Sequence, residues 1–290
     1  MTARAGLGFA RSHELATLAN TMRIATWNVN SIKARGEYVL DYFDTRRPGI
    51  VCLQELKVDN DAFPFDAFAE RGYETAVCAQ PTWNGVAVVS KMPLRLRQAG
   101  LPGHEDDGAR LVTADVTTDS GDISVTSVYV PNGKTVEHAD YEMKLAWLDS
   151  LHDYAKGLMA ESDAVIIAGD YNLVPADIDS YHAADAEGTI FHTDAERDRY
   201  KRMLGLGLVD VFRNAAPDEP GFSWWDYRGG SFHQNKGLRI DFILATEAVA
   251  GRATSVAIDR TFRKKRADLP DVKPSDHAPV EATLSETNRV

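Results

Sequence analysis

The chain is short of positive charge: 32 Lys and Arg stand against 43 Asp and Glu, a formal net charge of −11. That is the reverse of what a protein that merely coats a phosphate backbone carries, and it argues against passive DNA binding. The same surplus of acids suits a metal enzyme, because clustered carboxylates hold a hard cation and the cation can then meet a phosphate. Cysteine is scarce too. Cys52 in GIVCLQE and Cys78 in ETAVCAQ sit in apolar runs, as small buried side chains of a reducing compartment do, so no disulfide between them is expected. No apolar run approaches the roughly 20 residues of a membrane-spanning helix. The stretch before Met22 also lacks the roughly 7–15-residue apolar block of a secretory signal. A soluble, cytoplasmic chain is expected. No Cys/His cluster stands at metal spacing, which argues against zinc. No fixed repeat, low-complexity tract or Gly/Pro-rich linker breaks the sequence, so residues 22–290 read as a single domain. Residues 1–21 read as a flexible N-terminal extension, because Met22 directly precedes a strand-like run.

What the sequence does have is a series of short β-rich runs: Met22 to Trp27, Ile50 to Leu53, Gly85 to Ser90, Leu111 to Val116, Ile123 to Tyr129, Ala164 to Ala168, Arg239 to Ala245 and Pro279 to Leu284. Between them Tyr141, Leu145, Leu148, Ala155 and Leu158 keep the spacing of one apolar stripe on a helix, and Ile32 to Thr45 gives a weaker version. Helices do not alternate regularly with the strands, as a parallel doubly wound sheet requires. The pattern favours an α/β chain of mixed or antiparallel sheets packed face to face, with helices outside.

Several strands stop at polar residues, which delivers those side chains to a sheet edge. Asn28 and Asn30 follow RIATW, Gln54 and Glu55 follow IVCL, Tyr129 and Asn132 lie in SVYVPN, Asp170 and Asn172 in VIIAGDYN, and Asp276 and His277 in KPSDHAPV. Asp241 lies inside the apolar strand RIDFIL, where a charge needs a partner. Singly, each has a plain structural reading as a turn residue, loop acid or satisfied core group. Jointly, carboxylate and amide oxygens suit Mg²⁺ or Mn²⁺.

The strings MRIATWNVNSIKAR, CLQELK, NGVAVVSK, VYVPNG, GDYNLVPADID, GLVDVFR, FSWWDYR, GLRIDFILAT and KPSDHAPV occur in one order over residues 22 to 285. In that order the chain resembles the exonuclease III (AP endonuclease) family of the endonuclease/exonuclease/phosphatase superfamily. The resemblance implies a four-layered α/β sandwich, two mixed β-sheets packed together between helices. It also implies a metal-dependent DNA repair nuclease that cuts 5′ to abasic sites and trims 3′ ends of double-stranded DNA; a monomer is assumed. Carried over residue by residue, it assigns Glu55 as the main metal ligand, with Asn28 and Asp276 near the same cation. That cation is expected to be Mg²⁺, with Mn²⁺ substituting, as one ion or two. Asp170 matches the acid that orients or deprotonates the attacking water, Asn172 an amide on a phosphate oxygen, and His277 a contact to the scissile phosphate. Asp241 matches the partner that fixes and charges His277. Tyr129 matches a tyrosine at the phosphate, as phenol or as phenolate.

DNA contacts are expected from Asn132, Arg110, Trp224 and Trp225, with the two rings stacking on or wedging beside a base; for both rings, and for Trp225 especially, a place in the core is the alternative. The run Arg263, Lys264, Lys265, Arg266 and then Lys273 is the densest basic stretch, either a grip on backbone phosphate or a solvated loop. The segment Ser180 to His192 departs most from the family pattern and borders its lesion pocket, leaving open the balance between the two activities. Two rivals remain: a phosphatase or phosphodiesterase of the same superfamily, and a non-catalytic DNA-binding scaffold. FSWWDYRGG followed by GLRIDFIL favours DNA over the first, and the intact catalytic set speaks against the second. A serine hydrolase built from Ser275, Asp276 and His277 is poor, since neighbours on an extended chain point to opposite sides.

Overall fold

The computed structural model describes residues 21–286. Two six-stranded sheets form, in strand orders β11-β12-β1-β2-β4-β3 and β5-β6-β7-β8-β10-β9. The first holds β1 (Thr21–Asn28), β2 (Ile50–Gln54), β3 (Glu74–Cys78), β4 (Val86–Ser90), β11 (Ala253–Ile258) and β12 (Val280–Ser285). The second holds β5 (Leu94–Ala99), β6 (Leu111–Thr118), β7 (Gly121–Tyr129), β8 (Val165–Asp170), β9 (Leu208–Asp210) and β10 (Asp241–Thr246). Each sheet is mixed, with one parallel pair, β1 with β2 and β7 with β8.

The central strands are apolar on both faces because both faces are covered. Ile24, Cys52 and Val88 of the first sheet meet Val112, Val125, Ile166 and Ile243 of the second in the middle of the sandwich. The alternate residues Ala25, Trp27, Val51 and Leu53 point outward onto Tyr38, Tyr42 and Phe43 of α1 (Ile32–Arg46). On the opposite outer face Ile167 and Phe242 pack under Trp147, Leu151 and Ala155 of α2 (Ala139–Glu161) and Tyr200 and Met203 of α3 (Asp194–Gly205). Helix, sheet, sheet and helix make the four layers expected.

All eight strands anticipated from the sequence form, and they occupy the interior of the two sheets. The four not anticipated, β3, β5, β9 and β11, are the four edges. The reason is physical: edge strands are half exposed and carry polar residues that discourage further pairing. LRLRQA of β5 leaves most of its residues out of the core, and β9 is only three residues long. Of the expected N-terminal extension, residues 1–20 lie outside the described residues. Thr21 belongs to β1, opposite Ser285.

This topology gathers one end of the sandwich. The parallel pairs bring Asn28 level with Gln54 and Tyr129 level with Asp170, while antiparallel β10 starts with Asp241 beside Asp170. Close approach of β7 and β8 requires Gly169, since a Cβ there would lie 1.9 Å from the Val128 carbonyl oxygen. In VIIAGD, glycine lets the acid reach the sheet end.

Candidate active site

Asn28, Glu55, Asp170, Asp241 and His277 converge at that end. Asn28, fully buried, donates its amide N–H groups to Glu55 Oε1 and Asp170 Oδ2, both at 2.8 Å, and its Oδ1 accepts from Asn30 N at 3.0 Å. With its NH2 side turned to the two carboxylates, Asn28 spaces and orients the acids. Glu55 follows β2 in a left-handed conformation, φ 53°, and its carbonyl accepts from Ser31 N at 2.7 Å. A non-glycine residue there costs about 1–2 kcal/mol, which the surrounding turn offsets to aim the carboxylate inward. Lys57 Nζ meets Glu55 Oε2 at 2.6 Å and Asn30 Oδ1 at 2.7 Å.

Asp170 is 1% exposed and accepts from Asn172 N at 2.9 Å. Burial chiefly, and then the charge of Asp241, push its carboxyl up to about 7, against the pull of His277. His277 Nδ1 donates to Asp241 Oδ2 at 2.9 Å, and its Nε2 faces Asp170 Oδ2 at 3.8 Å. Burial, the largest single influence, opposes the charged ring, but Asp241, Asp170 and Asp276 together outweigh it and lift His277 to about 10. The ring is therefore an imidazolium at neutral pH. Ser223 Oγ, which sequence reasoning missed, donates to Asp241 Oδ2 at 2.6 Å and completes its solvation. Burial, with help from Glu55 and Asp170, raises Tyr129 well above the usual phenol range, which leaves it a phenol donor and not a phenolate.

One ligand atom each from Glu55, Asp170 and His277 lies within 4.8 Å of the others. A protonated imidazole cannot ligate a cation, so the usable donors are the two carboxylates, hard oxygens with no thiolate nearby, which fit Mg²⁺ or Mn²⁺. Asp276 stands outside that cluster: its oxygens accept from Asn30 Nδ2 at 2.9 Å and Trp224 Nε1 at 3.1 Å. Ser275 is spent on the Asn28 carbonyl at 2.7 Å, which disposes of a serine nucleophile.

Around this centre, Asn172 Nδ2 donates to the Val130 carbonyl at 2.9 Å, and exposed Asn132 donates to Asn172 Oδ1 at 3.4 Å. The Arg110 guanidinium lies 5.0 Å from the Tyr129 ring centre. Trp224 is half buried, locked by its bond to Asp276. Trp225, for which DNA contact and a place in the core were both open, is a core residue: it is 0% exposed, edge-on to Phe232, with Arg260 4.9 Å from its ring.

Asp241→Asn is expected to drop the His277 pKa from about 10 toward the ordinary range near 6.5, read by NMR titration of the ring. Because wild-type His277 holds its proton more tightly folded than unfolded, the pair stabilises the fold fully below about pH 6.5 and loses that contribution as pH rises through about 10. An unmoved pKa in the variant would contradict this account.

The pattern of the Endonuclease/Exonuclease/phosphatase family matches residues 25–277. The chain belongs to that family. Among its relatives is exodeoxyribonuclease III of Haemophilus influenzae, 32% identical over 268 residues that cover 89% of this chain and 98% of that protein. The 3′ phosphatase NExo from Neisseria, solved with a product DNA hairpin, superposes with a TM-score of 0.85 at 34% identity, over 91% of this chain and 99% of that one. An AP endonuclease from Archaeoglobus fulgidus gives 0.84 at 32%, over 91% and 99%. The family fold is thus present at nearly full length.

Proposed function

We propose that this chain is a Mg²⁺-dependent DNA repair nuclease, with Mn²⁺ able to substitute, acting as a monomer in the cytoplasm. It hydrolyses the phosphodiester 5′ to abasic sites and cleans or shortens 3′ ends of duplex DNA. The observation that carries the reading is the Asp170–His277–Asp241 array beside Glu55, in a chain that aligns almost end to end with an exodeoxyribonuclease III.

Each residue has a defined task. Asp170, with a carboxyl titrating at about 7, accepts the proton of an in-line water at neutral pH. His277 donates its Nε2 proton to a phosphate oxygen and stays charged because Asp241 holds the other side of the ring. The Tyr129 hydroxyl and the Asn172 amide are further donors for the growing negative charge. Glu55 would hold the cation, which would supply positive charge against the phosphate and the leaving 3′ oxygen. Substrate choice falls to a cavity of about 550 Å³ lined by Trp224 and Leu238 together with His182, Thr189 and His192 from the atypical segment Ser180 to His192.

The test is cleavage of a duplex with one abasic-site analogue beside an undamaged duplex with a recessed 3′ end. Both are expected to be cut with Mg²⁺ or Mn²⁺, not in EDTA, and at least about 100-fold more slowly by Glu55→Ala. Failure on both substrates in Mg²⁺ and Mn²⁺ rejects the reading in favour of the phosphatase or scaffold alternatives.

A further inference from the structure

The basic run 263–273 separates into bound and unbound charges. Arg266 is neutralised by Asp41 and Asp268. Arg263 is buried, donating Nε to the Asp276 carbonyl and Nη2 to the Trp225 carbonyl, both at 3.1 Å, with its guanidinium about 5 Å from the Tyr227 and Phe232 rings. Lys264, Lys265 and Lys273 are exposed, and among the described residues none is in a salt bridge. In a chain of net charge −11, where Arg23, Arg46, Arg71, Arg97 and Arg199 all meet acids, this is an unusual concentration of unneutralised cations.

The three lysines and Arg263 line one cavity of about 410 Å³, with Tyr227 and Phe232 in its wall. Its one acid, Asp226, is held by Arg228 at 2.8 Å. The cavity adjoins the catalytic centre. Pro274, two residues before Asp276 in the segment that carries His277, lines the cavity and accepts from Tyr227 Oη at 2.8 Å. Asp226 and Ser231 also line the cavity beside Trp224, so the two cavities are neighbours.

We infer that this cavity is a second contact for the DNA strand that passes the catalytic centre, holding backbone phosphates next to the scissile one. Mutual repulsion of the four cations is relieved when phosphate enters, and the aromatic wall gives the adjoining sugar or base an apolar surface. Such a contact gives this acidic protein local attraction for DNA without a basic surface overall. The inference rests on the proposed DNA substrate.

The experiment compares wild type with a variant carrying Lys264→Ala, Lys265→Ala and Lys273→Ala. It measures steady-state cleavage of a duplex with a recessed 3′ end in Mg²⁺ across a range of KCl concentrations. The variant is expected to keep kcat within about twofold and to raise KM about tenfold or more at low salt. The slope of log(kcat/KM) against log[KCl] should become shallower by about 2–3, close to 0.9 per lost phosphate contact. Neutral methylphosphonate linkages placed singly along the strand should weaken wild type at one or two positions near the cut and leave the variant indifferent there. If wild type cuts DNA and the variant matches it in KM, salt slope and methylphosphonate response, this inference fails and the nuclease reading stands. If wild type cuts no DNA, both fall together.

Discussion

Asp170→Asn is expected to lower kcat by about 10²–10⁴-fold, the usual contribution of a positioned general base, with KM changed only a few-fold. The substitution keeps the size of the side chain and removes its ability to take a proton. The carboxylate accepts from both Asn28 and Asn172 N, whereas an amide can accept at one oxygen only. One of those donors is therefore left facing an NH2 group, a local cost of about 1–3 kcal/mol. The charge effect runs the other way. Wild-type Asp170 titrates at about 7 in the fold, above the value near 3.9 of an unfolded chain, so its ionisation takes stability away as pH rises through that window. The variant escapes this penalty, and its stability relative to wild type should increase from about pH 4 to pH 7. Thermal melts across that range, beside kcat and KM, separate a lost base from a damaged fold. A variant with near wild-type kcat would remove Asp170 from the proton transfer.

The same titration sets a rate profile. Wild-type kcat should rise with pH through about 7 as Asp170 loses its proton, provided His277, at about 10, stays charged. More divalent cation shifts the acid limb to lower pH, since positive charge beside a carboxyl favours its ionised form.

Strands of the sheet interiors were legible because burial on both faces forces continuous apolar runs such as RIATW and VIIAG, each ending at a polar residue. The edges were illegible for the converse reason: ATSVAI of β11 and ETAVC of β3 mix exposed and buried residues without a period that distinguishes them from loop. Family resemblance supplied the roles, and the geometry brings Asp170, Asp241 and His277 together as expected. What a string of letters could not convey was orientation. Asn28 is expected near the cation, and nothing in the letters says which end of its amide faces the two carboxylates. For Trp225 a place in the core is already the alternative to DNA, and the ring occupies the core. Ser223 gave little signal, being one hydroxyl before two tryptophans. Lys144 does give one, a lysine within the apolar stripe of Tyr141, Leu145 and Leu148.

That lysine is fully buried, as is its partner Glu196. Its Nζ donates to the Asn172 carbonyl at 2.6 Å, to the Asn132 carbonyl at 3.3 Å and to Glu196, 4.8 Å from the Phe191 ring. Glu196 in turn accepts from Thr193 N and Oγ and from Phe191 N, which ties the start of α3 to the loop carrying Asn172. Lys144→Met removes one charge and strands the other, so a loss of about 3–5 kcal/mol is expected, a large share of a typical domain's stability. Adding Glu196→Gln removes the stranded carboxylate and should recover most of that loss, giving a coupling of about 2–3 kcal/mol in a double-mutant cycle by urea unfolding. Activity should not recover with stability. The carbonyls of Asn132 and Asn172 still lack their ammonium, and Asn172, held at φ 49°, is free to leave the left-handed conformation in which its amide donates to the Val130 carbonyl. A double variant that regains both stability and kcat would make the pair a packing device only; one that regains stability alone makes Lys144 the residue that positions Asn172.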